Sequence, residues 1–177
     1  MTCEIHPFPP LYSKNTRVLI LGSFPSVKSR EEKFFYGHPQ NRFWRVLAKV
    51  FKADVPVTIE EKTELILKNR LGLWDVIGSC LISGSADSTI KEVIPNDLSP
   101  ILSECKISGI FVNGKTAEKY YNRLILPKTG MPAVCLPSTS PANAAWSLDR
   151  LAAESNRSRN ELINLILAHG VKNIEIE

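Results

Sequence analysis

Two stretches of this chain concentrate side chains able to hold, stack on or polarise a ligand. The first, Gly22–Trp44, carries Ser23, three consecutive aromatics (Phe34, Phe35, Tyr36), His38 and Asn41. The second, Leu136–Trp146, sets Ser138, Thr139 and Ser140 between Pro137 and Pro141, with Asn143 just beyond. An Asn amide both donates and accepts, so Asn41 can contact a departing group or hold a water. It equally suits a helix cap, because an apolar periodic run follows it. His38 is a candidate general base, although His-Pro before a helix is often structural. One of the three aromatics can face a pocket, and Tyr36 is favoured over the reading that all are core. Hydroxyls and loop N–H groups around Ser138 suit phosphate contacts, though an ordinary polar turn has the same composition. Between Lys28 and Lys52 seven basic residues face only Glu31 and Glu32, a local excess of +5 in a chain of net charge +4. Such a stripe is either a phosphate footprint or a solvated helix face.

These loops need a frame. The run Arg17-Val18-Leu19-Ile20-Leu21 reads as a buried strand ending at Gly22. Leu73–Ile77, Gly109–Asn113 and Pro132–Leu136 read as further strands, and Ser79–Ser88 as a Ser/Gly-rich loop. Helices are expected over Asn41–Phe51, Pro95–Cys105, Thr116–Leu124 and Thr58–Lys68, where Thr58 and Glu61 have capping-box spacing. A last helix is expected from Asn143 to His169, with a break near Ser155–Ser158 and Gly170 as its stop. Residues 23–40 read as one long loop, a length usually reserved for function. Alternating strands and helices predict an α/β fold, a three-layer α/β/α sandwich with a central, mainly parallel four-stranded sheet. Ligands of such sheets bind beyond the carboxyl ends of the strands, where both loops begin.

The 177 residues suggest one domain over 1–177. No apolar run has the length of a membrane span, and Met1–Pro10 lacks a signal-peptide pattern. The expectation is a cytoplasmic protein without a membrane association. Cys3, Cys80, Cys105 and Cys135 include no C-x-x-C pair, so buried reduced thiols are expected rather than a metal or cluster site. Gly109–Thr116 matches the pattern G-x-x-x-x-G-K-[ST]. Its four central positions are Ile110, Phe111, Val112 and Asn113, which form a strand rather than a phosphate-wrapping loop. The match is declined.

Gly22-Ser23-Phe24-Pro25-Ser26 followed by Tyr36-Gly37-His38-Pro39-Gln40-Asn41-Arg42-Phe43-Trp44 resembles the mismatch-specific uracil-DNA glycosylases. Those carry G-[IL]-N-P-G after a strand and then F-A-H-P-x-N-R-F-W-K. Leu136-Pro137-Ser138-Thr139-Ser140-Pro141-Ala142-Asn143 is similar to their second loop. Within the uracil-DNA glycosylase superfamily the chain is most similar to the hypoxanthine-DNA glycosylase branch. It shares H-P-F-P-P from His6, L-I-L-G-S-F-P-S from Leu19, G-L-W-D-V from Gly72, and P-S-[ST]-S-P-A-N from Pro137. The resemblance spans His6–Trp146.

That resemblance implies a monofunctional hydrolase that excises a deaminated base, hypoxanthine first and uracil or xanthine as alternatives, from DNA. A non-catalytic damage-binding protein on the same fold is the rival, motivated by Phe24. It stands where mismatch uracil glycosylases keep a catalytic Asn. The branch instead assigns catalysis to the Asn of H-P-x-N, which is Asn41. The resemblance further implies that Tyr36 stacks on the flipped base, that the Ser23 and Phe24 N–H groups meet its edge, and that His38 lines the pocket. Ser138, Thr139, Ser140, Pro141 and Asn143 would grip the DNA, with Ser140, Pro141 or Asn143 entering the gap it leaves. No cofactor and no metal are expected. The protein is expected to act as a monomer, at the nucleoid.

Overall fold

Strand β2 (Val18–Gly22) is buried at every position, as a central parallel strand covered on both faces must be. It lies between β3 (Leu71–Asp75) and β6 (Gly109–Asn113), and β7 (Ala133–Leu136) completes a four-stranded parallel sheet of order β3-β2-β6-β7. The computed structural model describes residues 1–168. Alternation along β2 divides the core. Val18 and Ile20 pack with Phe43, Trp44, Leu47, Leu65 and Ile66 of helices α2 (Phe43–Val50) and α3 (Ile59–Lys68). Leu19 and Leu21 pack on the other side with Ile101, Ala117, Tyr120 and Ile125. Those residues come from α4 (Ser99–Glu104), α5 (Lys115–Tyr120) and the π-type turn Tyr121–Ile125 that leads into α6 (Leu126–Thr129). The helix–sheet–helix layering is therefore the expected one. α7 (Leu148–Ala168) packs on the outer face of α2 through Leu151, Val46 and Val50.

Several boundaries differ from expectation. The strand expected over Leu73–Ile77 ends at Asp75, and Ile77 begins β4 (Ile77–Ile82), which belongs to a second sheet. That sheet is antiparallel, of order β1-β4-β5, with β1 (Thr2–Ile5) and β5 (Lys91–Pro95). The expected loop at Ser79–Ser88 is thus half strand. Gly78 and Ser79 disguise it, and pairing on both sides overrides their weak strand preference. The Asn96 amide donates to the Asp75 and Ile77 carbonyls at 2.9 and 3.3 Å, fixing the corner where the chain changes sheets. The helix expected from Pro95 begins only at Ser99. Within residues 23–40, α1 (Val27–Glu32) forms under a Ser26 cap.

The last helix starts at Leu148 rather than Asn143, and it runs unbroken through Ser155–Ser158. The Ser155 hydroxyl donates to the Leu151 carbonyl and so stays inside the helix. His169 and Gly170, the expected end and stop of that helix, lie outside the described residues. The Thr58–Glu61 capping box is formed. Gly109–Asn113 is a strand followed by Gly114 at φ 97°, which leaves no phosphate loop. All four cysteines are free, but only Cys80 and Cys105 are buried. Cys135 is half-buried and Cys3 exposed, because β1 is an edge strand.

Candidate active site

Parallel register sets the site. Gly22 pairs with Asp75 and Asn113 with Leu136, so these four residues stand at one carboxyl edge of the sheet. Close approach there demands a glycine. A Cβ on Gly22 would lie 2.3 Å from Asp75 Oδ1 and 3.3 Å from the Tyr36 hydroxyl. Tyr36 itself adopts φ 52°, in the left-handed region that bulky residues avoid. One face of its ring is stacked on Phe43, with centroids 3.8 Å apart and planes 15° apart. Its hydroxyl is buried without a hydrogen-bond partner among the described residues. Burial, and then the Asp75 charge, push the phenol far above its ordinary range against a smaller opposing contact from the Asn113 side chain, so it remains neutral.

Asn41 joins the two loops. Its side-chain oxygen accepts from the Phe43 N–H and from the Thr139 hydroxyl, each at 2.9 Å. A backbone N–H can only donate, so the atom facing it is the carbonyl oxygen, and the amide orientation follows. The Asn41 NH₂ then has no acceptor among the described residues. The helix-cap reading and the reactive reading are therefore compatible: the oxygen caps α2 while the nitrogen stays free. Thr139 is itself held, its N–H by Asn113 Oδ1 at 3.1 Å and its hydroxyl by Asn113 Nδ2 at 3.0 Å.

The remaining first-loop candidates divide. The Ser23 hydroxyl donates to Asp87 at 3.0 Å. Neither the Ser23 nor the Phe24 N–H has an acceptor among the described residues. The Phe24 side chain is core, edge-on to His6 at 6.1 Å. His38 Nδ1 accepts from the Gln40 N–H at 3.2 Å, which fixes its proton on Nε2, and its carbonyl accepts from Asn41. This ring shapes the turn that presents Asn41.

The second loop is braced from below by Arg42. Its guanidinium donates to the carbonyls of Thr139 (3.3 Å), Ser140 (2.8 Å), Asn143 (3.0 Å) and Trp146. α7 starts late because Ser147 caps it: its hydroxyl accepts from the Arg150 N–H at 3.2 Å and its carbonyl from the Leu151 N–H. Ser138 Oγ accepts from the Ser140 N–H, Ser140 Oγ from the Ala142 N–H, and the Asn143 amide donates to the Ser138 carbonyl. Pro141 is exposed at the tip.

The basic stripe is mostly committed elsewhere. Arg42 holds this loop, and Arg30 donates to the Pro25 and Gly84 carbonyls. Lys28 pairs with Glu31 and Glu32, and Lys49 with Asp149. Lys33, Arg45 and Lys52 make no ion pair among the described residues.

Four residues at this edge lie outside the sequence-based set: His6, Asp75, Asp87 and Asn113. His6 Nε2 and Asp75 Oδ2 are hydrogen-bonded at 2.7 Å, with side chains only 3% and 7% exposed. Asp87 keeps an accessible edge, but surrounding protein raises its carboxyl above the ordinary range. The Ser23 and Thr116 hydroxyls oppose that shift, and the Asp75 charge adds to it. Asp75 and Asn113 end strands, and strand carboxyl ends are where α/β sites collect. That signal was present in the sequence. Asp87 ends a loop, Ser79–Asp87, that strand order puts in the right place, but nothing in the sequence shows that it reaches the site. A cleft of about 420 Å³ between α4 and α6 shares no lining residue with this group.

The sequence profile of the uracil DNA glycosylase superfamily matches residues 9–164. A hypoxanthine DNA glycosylase of Methanosarcina acetivorans is 36% identical over 145 residues, covering 81% of this chain and 90% of that protein. A hypoxanthine DNA glycosylase of Methanosarcina barkeri is 35% identical over 139 residues, covering 77% and 86%. A solution NMR structure of a candidate uracil DNA glycosylase from Methanosarcina acetivorans superposes with a TM-score of 0.75 at 34% identity, covering 88% of this chain and 96% of that one.

Proposed function

The chain belongs to the uracil DNA glycosylase superfamily, and on that premise we infer that it is a DNA glycosylase acting on deaminated bases, with hypoxanthine as the principal one. The observation that carries this reading is the set of unspent donors at one sheet edge: the Asn41 NH₂, the Tyr36 hydroxyl, and the N–H groups of Ser23 and Phe24. Buried or half-buried polar groups without partners are rare in native proteins, and where they cluster they suit a ligand.

The reaction breaks the bond between C1′ and the base nitrogen, and water supplies the new C–O bond. Its transition state is positive on the sugar and negative on the base. The base must first leave the stack, which is cheapest for a mispaired one. Asn41 is the catalytic residue of this proposal. Its NH₂ is aimed by two hydrogen bonds to its own oxygen, and it stabilises charge on the departing base or holds the water. The Tyr36 ring receives the base on the face opposite Phe43, the Ser23 and Phe24 N–H groups meet the base edge, and His38 shapes the rim. Ser138, Thr139, Ser140, Pro141 and Asn143 form the DNA grip, with exposed Pro141 entering the gap. No lysine stands in either motif to form a Schiff base, so the product is an abasic site without strand cleavage. The working form is a monomeric single domain that needs no metal and acts at the nucleoid. Among the described residues no helix is long and apolar enough to cross a membrane.

Duplexes holding a single hypoxanthine, uracil or xanthine, treated with the protein and then with alkali, test the reading. Strand breaks at hypoxanthine, exceeding those at the other two, are expected. Breaks at none of the three across several salt concentrations would overturn it, and tight binding without breaks would mark a damage-binding protein.

A further inference from the structure

The proton inventory of the His6–Asp75 pair is fixed by its neighbours. His6 Nδ1 lies 2.8 Å from the Phe8 carbonyl, which can only accept, so Nδ1 carries a hydrogen. Nε2 lies 2.7 Å from Asp75 Oδ2, and two bare lone pairs would repel at that distance. One further proton therefore sits between His6 and Asp75. The ring is walled by Phe8, Phe24 and Trp74 at 4.5, 6.1 and 6.3 Å, so it has no other orientation to take. Asp75 Oδ2 is thus spent. Oδ1 accepts from no described donor, and it lies over Gly22, a residue that the Tyr36 hydroxyl also approaches. The result is an acceptor oxygen held at the sheet edge where the first loop begins.

We propose that the His6–Asp75 pair is the selectivity element of the pocket: Asp75 Oδ1 accepts the ring N–H that a deaminated purine carries and adenine lacks, and His6 is the positioning residue that presents it. This rests on the site's being a base pocket. Hypoxanthine offers a ring N–H beside a carbonyl. Adenine offers a bare ring nitrogen beside an amino group. A carboxylate oxygen, which can only accept, matches the first face at its ring N–H and opposes the second at its bare ring nitrogen. Leaving buried polar groups unpaired is what makes such discrimination large. His6 keeps the buried carboxylate from standing uncompensated against the departing, electron-rich base. Guanine carries the same face as hypoxanthine, so the pair separates lactam bases from adenine alone, and the strength of the guanine–cytosine pair guards guanine before flipping.

The test compares single-turnover excision of hypoxanthine with that of N1-methylhypoxanthine, which lacks the ring N–H. The wild-type protein is expected to prefer hypoxanthine by roughly a hundredfold. Asp75→Ala should bring the two within a few-fold of each other. His6→Leu should raise the KM for hypoxanthine more than it lowers kcat, and His6→Gln, whose amide can still donate to Oδ2, should recover much of the loss. Equal discrimination in wild type and Asp75→Ala would overturn the proposal, as would His6→Gln behaving like His6→Leu. A second arm needs no excision. Nitrogen-15 NMR of the wild-type protein should show a proton on His6 Nδ1 and a second, slowly exchanging one bridging Nε2 to Asp75. A duplex holding non-cleavable 2′-fluoroarabino-inosine should bind more tightly than its N1-methyl counterpart. If no lesion is excised yet both of these hold, the glycosylase reading fails and the recognition pair stands. If excision proceeds but His6 shows a single ring proton, the pair fails and the glycosylase reading stands.

Discussion

Around Ser138–Trp146 the chain consumes its own hydrogen-bonding capacity, whereas around Gly22–Asn41 it leaves much of that capacity open. In the second loop Arg42 takes four carbonyls, Ser138, Ser140 and Asn143 bond backbone, and Thr139 bonds the side chains of Asn113 and Asn41. In the first, the Asn41 NH₂, the Tyr36 hydroxyl and two backbone N–H groups have no partner among the described residues. A satisfied loop keeps its shape without a ligand and suits a rigid grip. An unsatisfied one is destabilised until something arrives, and suits the place where binding energy is used.

Removing the open donor with the best-defined aim should have the largest effect. Asn41→Ala is expected to lower single-turnover excision by roughly 10²–10³-fold, the range for loss of one preorganised donor. Non-specific DNA affinity should stay within a few-fold, as read by fluorescence anisotropy on an undamaged duplex. An Asn41→Ala protein that cuts as fast as the parent would remove Asn41 from the chemistry and leave it a helix cap.

The opposite pole of the contrast is Arg42. Arg42→Ala strands partly buried carbonyls and should cost about 2 kcal/mol of folding stability, seen as a melting temperature lower by about 5 °C. Excision should fall through DNA affinity more than through the chemical step, because the grip slackens while Asn41 keeps its Phe43 bond. A variant of unchanged stability would mean that the second loop holds its shape without the guanidinium.

Tyr36→Phe separates stability from function at a single atom. Deleting a buried hydroxyl that has no partner should stabilise the fold by about 1 kcal/mol, or a melting temperature higher by about 2–4 °C, while excision slows several-fold. A loss of stability instead would show that the hydroxyl is satisfied in the free protein, and the contrast between the loops would narrow.

How much of this was legible beforehand follows from where each signal resides. The parallel sheet was readable because Val18–Leu21 and Gly109–Asn113 are apolar runs ending at glycine or asparagine, and local sequence suffices for that. The second sheet was not, since Gly78-Ser79 looks like a turn and becomes strand only through partners far along the chain. The two loops were readable from residue type. The joining of the two loops through Asn41 was not, because its second bond comes from Thr139, brought in by tertiary packing. The basic stripe was legible only as a count, for a related reason: charges in a window do not show that Arg42 and Arg30 turn inward to backbone carbonyls. His6 and Asp75 were visible as letters in two motifs, but their pairing is a fact of three dimensions.

The smallest expected effect lies at Asp87, where the two regimes meet: Ser23, of the open loop, has its hydroxyl satisfied there. Burial raises the Asp87 carboxyl above its ordinary value of 3.8, and the Asp75 charge adds to the rise. In the window just above 3.8 the folded state therefore binds more protons than the unfolded chain, so this group's contribution to stability falls as pH rises through that window. Asp87→Asn keeps an acceptor for Ser23 and removes the titration. At pH 7 the variant should melt higher by about 1–2 °C, the scale of a partly exposed substitution, and near pH 3 the two proteins should melt together. A difference that persists unchanged at low pH would assign the effect to packing instead. Asp87 would then belong with the satisfied scaffold rather than with the strained edge around Gly22.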